Sequence, residues 1–273
     1  MLSILIAICG YIYKVSCPPL TITFLGTGTS SGVPMIACGC EVCSSADKKD
    51  KRLRSSILVQ SPTTAVVIDT TPDFRYQMLR AGVKKLDAVL FTHSHKDHIA
   101  GLDDIRAYNY FQQQAMYVYA NDMTMKELKR EFEYAFSEHK YPGVPDLRLI
   151  TISIAPFLIG DIPVTPIIVW HLRMPVFGYR FGQFCYITDA NRIDRAEQRK
   201  IEGSDTIVLN ALRKEKHISH FSLSEAIELV EELAIPNAYF THISHQLGKH
   251  ATVSKELPSG MCLAYDELTL KFD

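Results

Sequence analysis

Three imidazoles and one carboxylate fall within six positions at His93, His95, Asp97 and His98, directly after the apolar run 86–91. Residues 87–91 read as a short strand, being rich in Val, Leu and Phe. His93 and His95 are two apart, so in extended chain both project to one side and can share a cation. Asp97 and His98 follow where the chain turns toward a helical pattern that runs through Tyr110, so they point elsewhere and can serve a second cation. Paired ions about 3.5–4 Å apart clamp a displacement reaction, and the run therefore reads as half of a two-metal hydrolytic centre. The plainer alternative is a polar loop that happens to be rich in histidine. It leaves the ordered spacing at the end of a strand unexplained, and the spacing is not that of the helical His-Glu-x-x-His site.

His93-x-His95-x-Asp97-His98 resembles the signature of the metallo-β-lactamase superfamily. The resemblance implies an α/β fold, a four-layer αββα sandwich with the metal site at one edge. It also implies ligands downstream: His171 after the apolar run 167–170, Asp189 after 185–188, and His242 after 238–241. Under that resemblance His93, His95 and His171 would hold one ion and Asp97, His98 and His242 the other. Asp189 would bridge, because a carboxylate has two oxygens. Such a pair lowers the pKa of a shared water to about 7, which makes a nucleophile at neutral pH. Nitrogen and oxygen ligands suit two divalent ions, zinc or manganese, with iron also open. Asp69 matches a family aspartate that orients a metal-bound histidine, and the alternative is an ordinary turn residue after the run 65–68.

Cys38, Cys40 and Cys43 put three thiols within six residues. Soft ligands so close together suggest a closed structural zinc site. Adjacent spacing and an odd total of seven cysteines argue against a disulfide framework, leaving a cluster of small buried cysteines as the other reading. The fourth ligand must come from elsewhere, and His245 is the candidate. It lies three residues after His242, and in extended chain an odd separation turns the two rings to opposite faces.

The glycine-rich segment 26–34, the cysteine cluster, the late sequence 241–246 and Leu257-Pro258-Ser259-Gly260 together resemble the PhnP-type cyclic phosphodiesterases over residues 21–273. That subgroup resemblance implies hydrolysis of a phosphoribosyl cyclic phosphate and a structural zinc on three cysteines and a histidine. It also implies a further histidine that acts on the phosphate or the leaving oxygen. His-Ile-Ser-His occurs at 217–220 and again at 242–245. Of the first pair, His220 is the better candidate, since it precedes the capping-box pattern Ser222-Leu223-Ser224-Glu225. Beside a helix amino terminus it could protonate a departing alkoxide, or act as a neutral donor if the helix's positive end lowers its pKa. His220 and Asp97 are the candidate catalytic residues. Residues 132–147, with Tyr141-Pro142-Gly143-Val144-Pro145, depart from the pattern and read either as a lid or as a surface insertion.

The chain has 273 residues and a formal net charge of −1, enough for one α/β domain over 21–273. Residues 1–20 read as a short apolar extension or a misplaced start, outside the fold. Near-neutral charge implies no general nucleic-acid binding. The basic run 48–54 reads as a solvated loop, with phosphate attraction as the alternative. The apolar run 2–13 is short for a membrane span, and thiolate zinc chemistry favours a cytoplasmic setting. Further strands are expected at 21–25, 56–60, 65–69, 116–119, 162–169, 177–181, 206–210 and 261–265. Helices are expected at 73–81, 102–113, 123–135 and 222–233. The leading function is a dinuclear phosphodiesterase that hydrolyses a small cyclic or diester phosphate by metal-hydroxide attack on phosphorus. Ribonuclease Z-like RNA cleavage and thioester or lactone hydrolysis are the enzymatic alternatives. A pyrroloquinoline quinone biosynthesis B-like protein is the non-catalytic one. The expected partner is a small phosphodiester substrate, without a membrane, and a homodimer is left open.

Overall fold

Strands that are largely apolar are the ones covered on both faces, and here they form the centres of two sheets. In the first sheet, β5 (Ala65–Ile68) and β6 (Ala88–Leu90) are buried throughout and run parallel. In the second, β12 (Phe184–Tyr186) and β13 (Thr206–Asn210) are buried throughout and likewise parallel. The first sheet is completed by β3 (Leu20–Gly26), β4 (Ser56–Gln60), β7 (Met116–Ala120), β8 (Leu147–Thr151) and β16 (Thr269–Phe272), in the order β16-β3-β4-β5-β6-β7-β8. The second adds β9 (Phe157–Ile159), β10 (Ile162–His171), β11 (Met174–Phe181), β14 (Asn237–Thr241) and β15 (Met261–Leu263), in the order β15-β14-β13-β12-β11-β10-β9. The computed structural model describes residues 3–8, 11–139 and 141–273, with side chains from Cys17 onward. Strands β1 (Ser3–Ile8) and β2 (Tyr11–Ser16) pair as a separate antiparallel hairpin. The fold reaches slightly before residue 21, because Leu20 opens β3 as a buried core residue and Cys17 packs against the core.

Alternation along the strands sorts the core into layers. Val66 and Ile68 face Tyr179, Tyr186 and Val208 between the sheets, whereas Val67 turns outward to Phe74 and Met78 of α1 (Phe74–Arg80). On the far side Ile207, Leu209 and Phe240 pack against α6 (Arg195–Ile201) and α7 (Leu223–Glu232). The result is the expected four-layer αββα sandwich. The sheets are also joined by polar bonds at the site edge: Phe177 N–H donates to the Thr92 carbonyl at 3.0 Å and Tyr179 O–H to the Phe91 carbonyl at 2.5 Å.

Two expected helices are interrupted. The helix expected over 102–113 begins as a 3₁₀ turn, Leu102–Ile105, before α3 (Arg106–Gln112). The helix expected over 123–135 divides at Phe132 into α4 (Asp122–Glu131) and α5 (Glu133–Phe136). The front of segment 132–147 is thereby part of the core: Phe132 and Ala135 are buried, and the Tyr134 hydroxyl bonds Asp103 at 2.5 Å. Tyr141 is exposed.

The basic run is not a uniformly solvated loop. Arg52 is 4% exposed; its Nη1 donates to Thr27 Oγ1 at 2.8 Å and to the Ala264 carbonyl at 2.6 Å, and its Nη2 lies 3.1 Å from His250 Nδ1. Thr27 Oγ1 donates to Asp266 Oδ1, and Asp266 Oδ2 accepts from Leu53 N–H. The hub fastens the glycine-rich segment to the last part of the chain. Glycine is needed there, since a Cβ on Gly26 would sit 2.0 Å from the Arg54 carbonyl. His250, for which the sequence suggests no role, belongs to this hub, and burial beside Arg52 and Lys49 lowers its pKa to about 4. Removing one member of a buried charged network strands the others, so Arg52→Met should cost about 3–5 kcal/mol in a urea unfolding curve.

Candidate functional site

His171, Asp189 and His242 lie at or just past the ends of strands, and so does Asp69. Three of these residues leave their strands in the left-handed region: Asp69 at φ 65°, Asp189 at 53° and His242 at 55°. Non-glycine residues seldom adopt it, and such positions gather at functional sites. His171 is the last residue of β10, while Asp189 lies beyond β12 and His242 directly follows β14. His93, His95, Asp97 and His98 lie on the loop after β6 and on the short helix α2 (Lys96–Ile99).

Hydrogen bonds fix which nitrogen each ring offers. Thr92 Oγ1 donates to Asp69 Oδ2 at 2.8 Å, so toward His93 Nδ1, 2.9 Å away, it accepts. His93 then carries its proton on Nδ1 and presents the Nε2 lone pair. His98 Nδ1 lies 2.7 Å from Asp69 Oδ2, and His171 Nδ1 donates to the Ser219 carbonyl at 2.9 Å. Both rings likewise present Nε2. The Nε2 atoms of His93 and His98 are buried without hydrogen-bond partners. His242 is turned the other way, with Nε2 3.2 Å from Thr29 Oγ1 and Nδ1 3.2 Å from Asp189 Oδ2.

The rings crowd around one centre without separating into the two expected sets: His93 lies 4.2 Å from His98, closer than to either His95 or His171. His93 lies 4.6 Å from His95 and His95 5.2 Å from His171, centroid to centroid. His98 Nε2 lies 3.3 Å from Asp97 Oδ2 and 3.1 Å from Asp189 Oδ2. Asp189 is common to three donor groups, with His93 and His98, with His171 and His220, and with Asp97 and His242, each within 4.8 Å. That central position is the one a bridging carboxylate requires. His95 is the solvent-facing member of the first set and belongs to none of the three groups.

The charges ask for cations. Burial lowers the pKa of His93, His171 and His242, which favours the neutral form that a metal-binding imidazole needs. Burial also opposes charge on His98, but Asp189, Asp97 and Asp69 outweigh it and hold that imidazole well above its ordinary value. Three carboxylates gathered around one ring leave an excess of buried negative charge, and protein interiors tolerate this only with compensating positive charge. The unpartnered Nε2 of His93, the neutral rings of His171 and His242, and carboxylates that demand positive charge at His98 together fit two divalent ions, which would take the place of the His98 proton.

Asp69 is fully buried and accepts from Thr92 N–H at 2.8 Å as well as from Thr92 Oγ1 and His98. It braces His98 directly and His93 through Thr92. Asp69 is legible in the sequence as the residue after an apolar run, whereas Thr92, Thr29 and the Ser219 carbonyl are not among the expected site groups. Thr92 was recoverable as the hydroxyl between the strand end and the first histidine; a backbone carbonyl leaves no signal in residue type.

His220 is buried, with Nδ1 3.9 Å from Asp189 Oδ1 and no hydrogen-bond partner. Its ring lies 4.7 Å from His171 and 4.9 Å from His242. The capping box of α7 forms as expected. The expected cause of a lowered pKa needs correction, however: burial comes first, reinforced by His242, His171 and His217, and the value falls to about 3. His217 is half-buried, its ring 5.3 Å from His220.

The second centre gathers Cys38, Cys40, Cys43 and His245, with donor atoms within 4.8 Å of one another. His245 Nδ1 lies 3.4 Å from Cys38 Sγ and 3.3 Å from Cys40 Sγ. The mechanism of placement differs from the extended alternation expected. His242 turns into the left-handed region, Ile243 pairs with Thr27 and Thr29, and a 3₁₀ turn, His245–Leu247, swings His245 away. Cys43 N–H donates to Cys40 Sγ, and with His245 this lowers the Cys40 pKa to about 6, while burial pushes Cys43 to about 11. Three sulfurs and one imidazole suit a closed tetrahedral zinc site.

Residues 64–243 match the family described as "Beta-lactamase superfamily domain". The chain is 36% identical over 252 residues to a protein of Porphyromonas gingivalis named octanoyltransferase, covering 91% of this chain and 51% of that one. It therefore spans about half the length of that relative. A crystal structure of a diphosphatase from the PhnP family superposes with a TM-score of 0.88 at 40% identity, covering 94% of this chain and 98% of that one. Zn(2+)-bound PqqB from Methylobacterium extorquens shares the fold, with a TM-score of 0.71 at 21% identity over 92% of this chain and all of that one.

Asp69→Asn should weaken metal binding at the histidine-rich centre about 10–100-fold, read by competition with a chromogenic chelator. Cys40→Ser should lower bound zinc by about one ion per chain and reduce the melting temperature, read by elemental analysis and calorimetry.

Proposed function

The chain belongs to the metallo-β-lactamase superfamily, and from that premise we propose that it is a PhnP-like phosphodiesterase acting on a small cyclic or diester phosphate. The observation that carries this reading is His220. A buried imidazole with an unpartnered nitrogen, next to the shared carboxylate and flanked by His171 and His242, would meet an oxygen of a phosphate bound there. The likeness to a PhnP-family diphosphatase over nearly the whole chain supports phosphoryl chemistry. The octanoyltransferase name describes a protein about twice as long, and an acyl substrate enters here only as a competitor in the assay.

His93, His95 and His171 would hold one divalent ion, and Asp97, His98 and His242 the other, with Asp189 between them. Such ions, when bound, set positive charge against phosphoryl oxygens and acidify water at neutral pH. The chain's own residues orient the reaction. Asp69 and Thr92 lock the tautomers of His98 and His93, so the ring nitrogens that face the centre are lone pairs. The Ser219 carbonyl does the same for His171. Burial keeps His220 neutral, so it offers an N–H to the phosphoryl or leaving oxygen rather than a formal positive charge. That donor would strengthen its bond as charge develops on the departing oxygen.

A panel of a five-membered cyclic ribose phosphate, a linear chromogenic diester, precursor tRNA and a thioester tests the reading. Turnover of the cyclic and linear diesters is expected. His220→Ala should lower kcat by about 10²–10³-fold without changing metal content. Thioester turnover alone, or precursor tRNA cleavage alone, overturns it.

A further inference from the structure

The turn after His171 carries a residue that its backbone disfavours. His171 pairs with Met174, so Leu172 and Arg173 form a two-residue hairpin loop between β10 and β11. Leu172 has φ 58°. At positive φ in such loops Gly, Asn or Asp is usual, because a larger side chain crowds the backbone carbonyl. Leu172 is also 51% exposed, so burial does not compensate.

The residue is nonetheless held firmly. Leu172 N–H donates to Asn191 Oδ1 at 2.8 Å, and Asn191 Nδ2 donates to the Ile218 carbonyl at 3.1 Å. Ile218 is 73% exposed and lies on the loop whose Ser219 carbonyl holds His171 and whose next residue is His220. Asn191 itself follows Asp189 by two residues. Asn191 thus ties the backbones of the two loops that carry His171 and His220, and each loop presents one large aliphatic side chain to solvent. Burial accounts for neither side chain, and at Leu172 the backbone disfavours it as well.

We propose that Leu172 and Ile218 form an apolar lip on the phosphate site that receives a hydrocarbon or aromatic substituent of the substrate. The preferred class is then an amphiphilic phosphodiester rather than a wholly polar one. The proposal rests on the phosphodiester reading above and narrows it. The two residues are specificity-determining and take no part in bond-making.

Alkyl p-nitrophenyl phosphates with methyl, butyl and hexyl groups test it. In each, water adds to phosphorus, p-nitrophenolate departs, and the alkyl phosphate remains, so the chromophore and leaving group are constant. For the unaltered protein kcat/KM should rise about tenfold from methyl to hexyl, mainly through KM. Leu172→Asn should bring the hexyl-to-methyl ratio to within about twofold of unity, with a melting temperature equal to or above that of the unaltered protein because asparagine tolerates positive φ. Ile218→Ser, at an exposed position, should flatten the ratio independently and decides the matter should Leu172→Asn fold poorly. Chain-length-independent turnover by the unaltered protein, or a ratio kept in Ile218→Ser and in folded Leu172→Asn, overturns the lip and leaves the phosphodiester reading standing. No turnover of any diester removes that reading and the lip with it.

Discussion

The buried carboxylate of Asp69 is the constraint on which the site depends. It sits at the end of β5 in a conformation few side chains adopt, fully removed from water, and accepts from the backbone and hydroxyl of Thr92 and from His98. An isolated charge there would be costly, and its donors relieve it only when the loop after β6 takes one course. That course aims His93 and His98 at a common centre. Thr92 also gives its carbonyl to Phe177 of the opposite sheet, so the bonds that orient the ligands are continuous with those that close the seam between the sheets. Orientation of the metal ligands and registration of the two layers are therefore one event.

Much of this was legible because metal chemistry restricts residue types. His93, His95, Asp97 and His98 stand out by spacing alone, and His171, Asp189 and His242 each follow an apolar run, which locates them at strand ends before any coordinates. The superfamily resemblance turned that pattern into an ordered ligand set. The central strands were legible for a related reason: burial on both faces demands continuous apolar sequence. The edge strands β8, β9 and β16 were not anticipated, being short and only partly buried.

Other features escaped because they depend on what lies opposite a residue. Arg52 stands in a run of lysines and arginines whose composition suggests solvent, yet Thr27, Ala264, His250 and Asp266 supply a closed set of partners from distant parts of the chain. Alternating faces nominate His245 as a fourth ligand beside the cysteines, whereas the chain brings it there by a left-handed residue and a 3₁₀ turn. Spacing can nominate a ligand without revealing the path by which the backbone delivers it.

The strand order has a consequence for biosynthesis. The first sheet takes one edge strand, β16, from residues 269–272 and pairs it with β3 near the beginning of the described fold. His242 and His245 arrive only shortly before. A nascent chain on the ribosome thus emerges with its first histidine cluster long before the partners that complete either centre. Until His242 and His245 have left the exit tunnel, the early ligands are an incomplete chelate, so neither candidate centre can close before that part of the fold has been made.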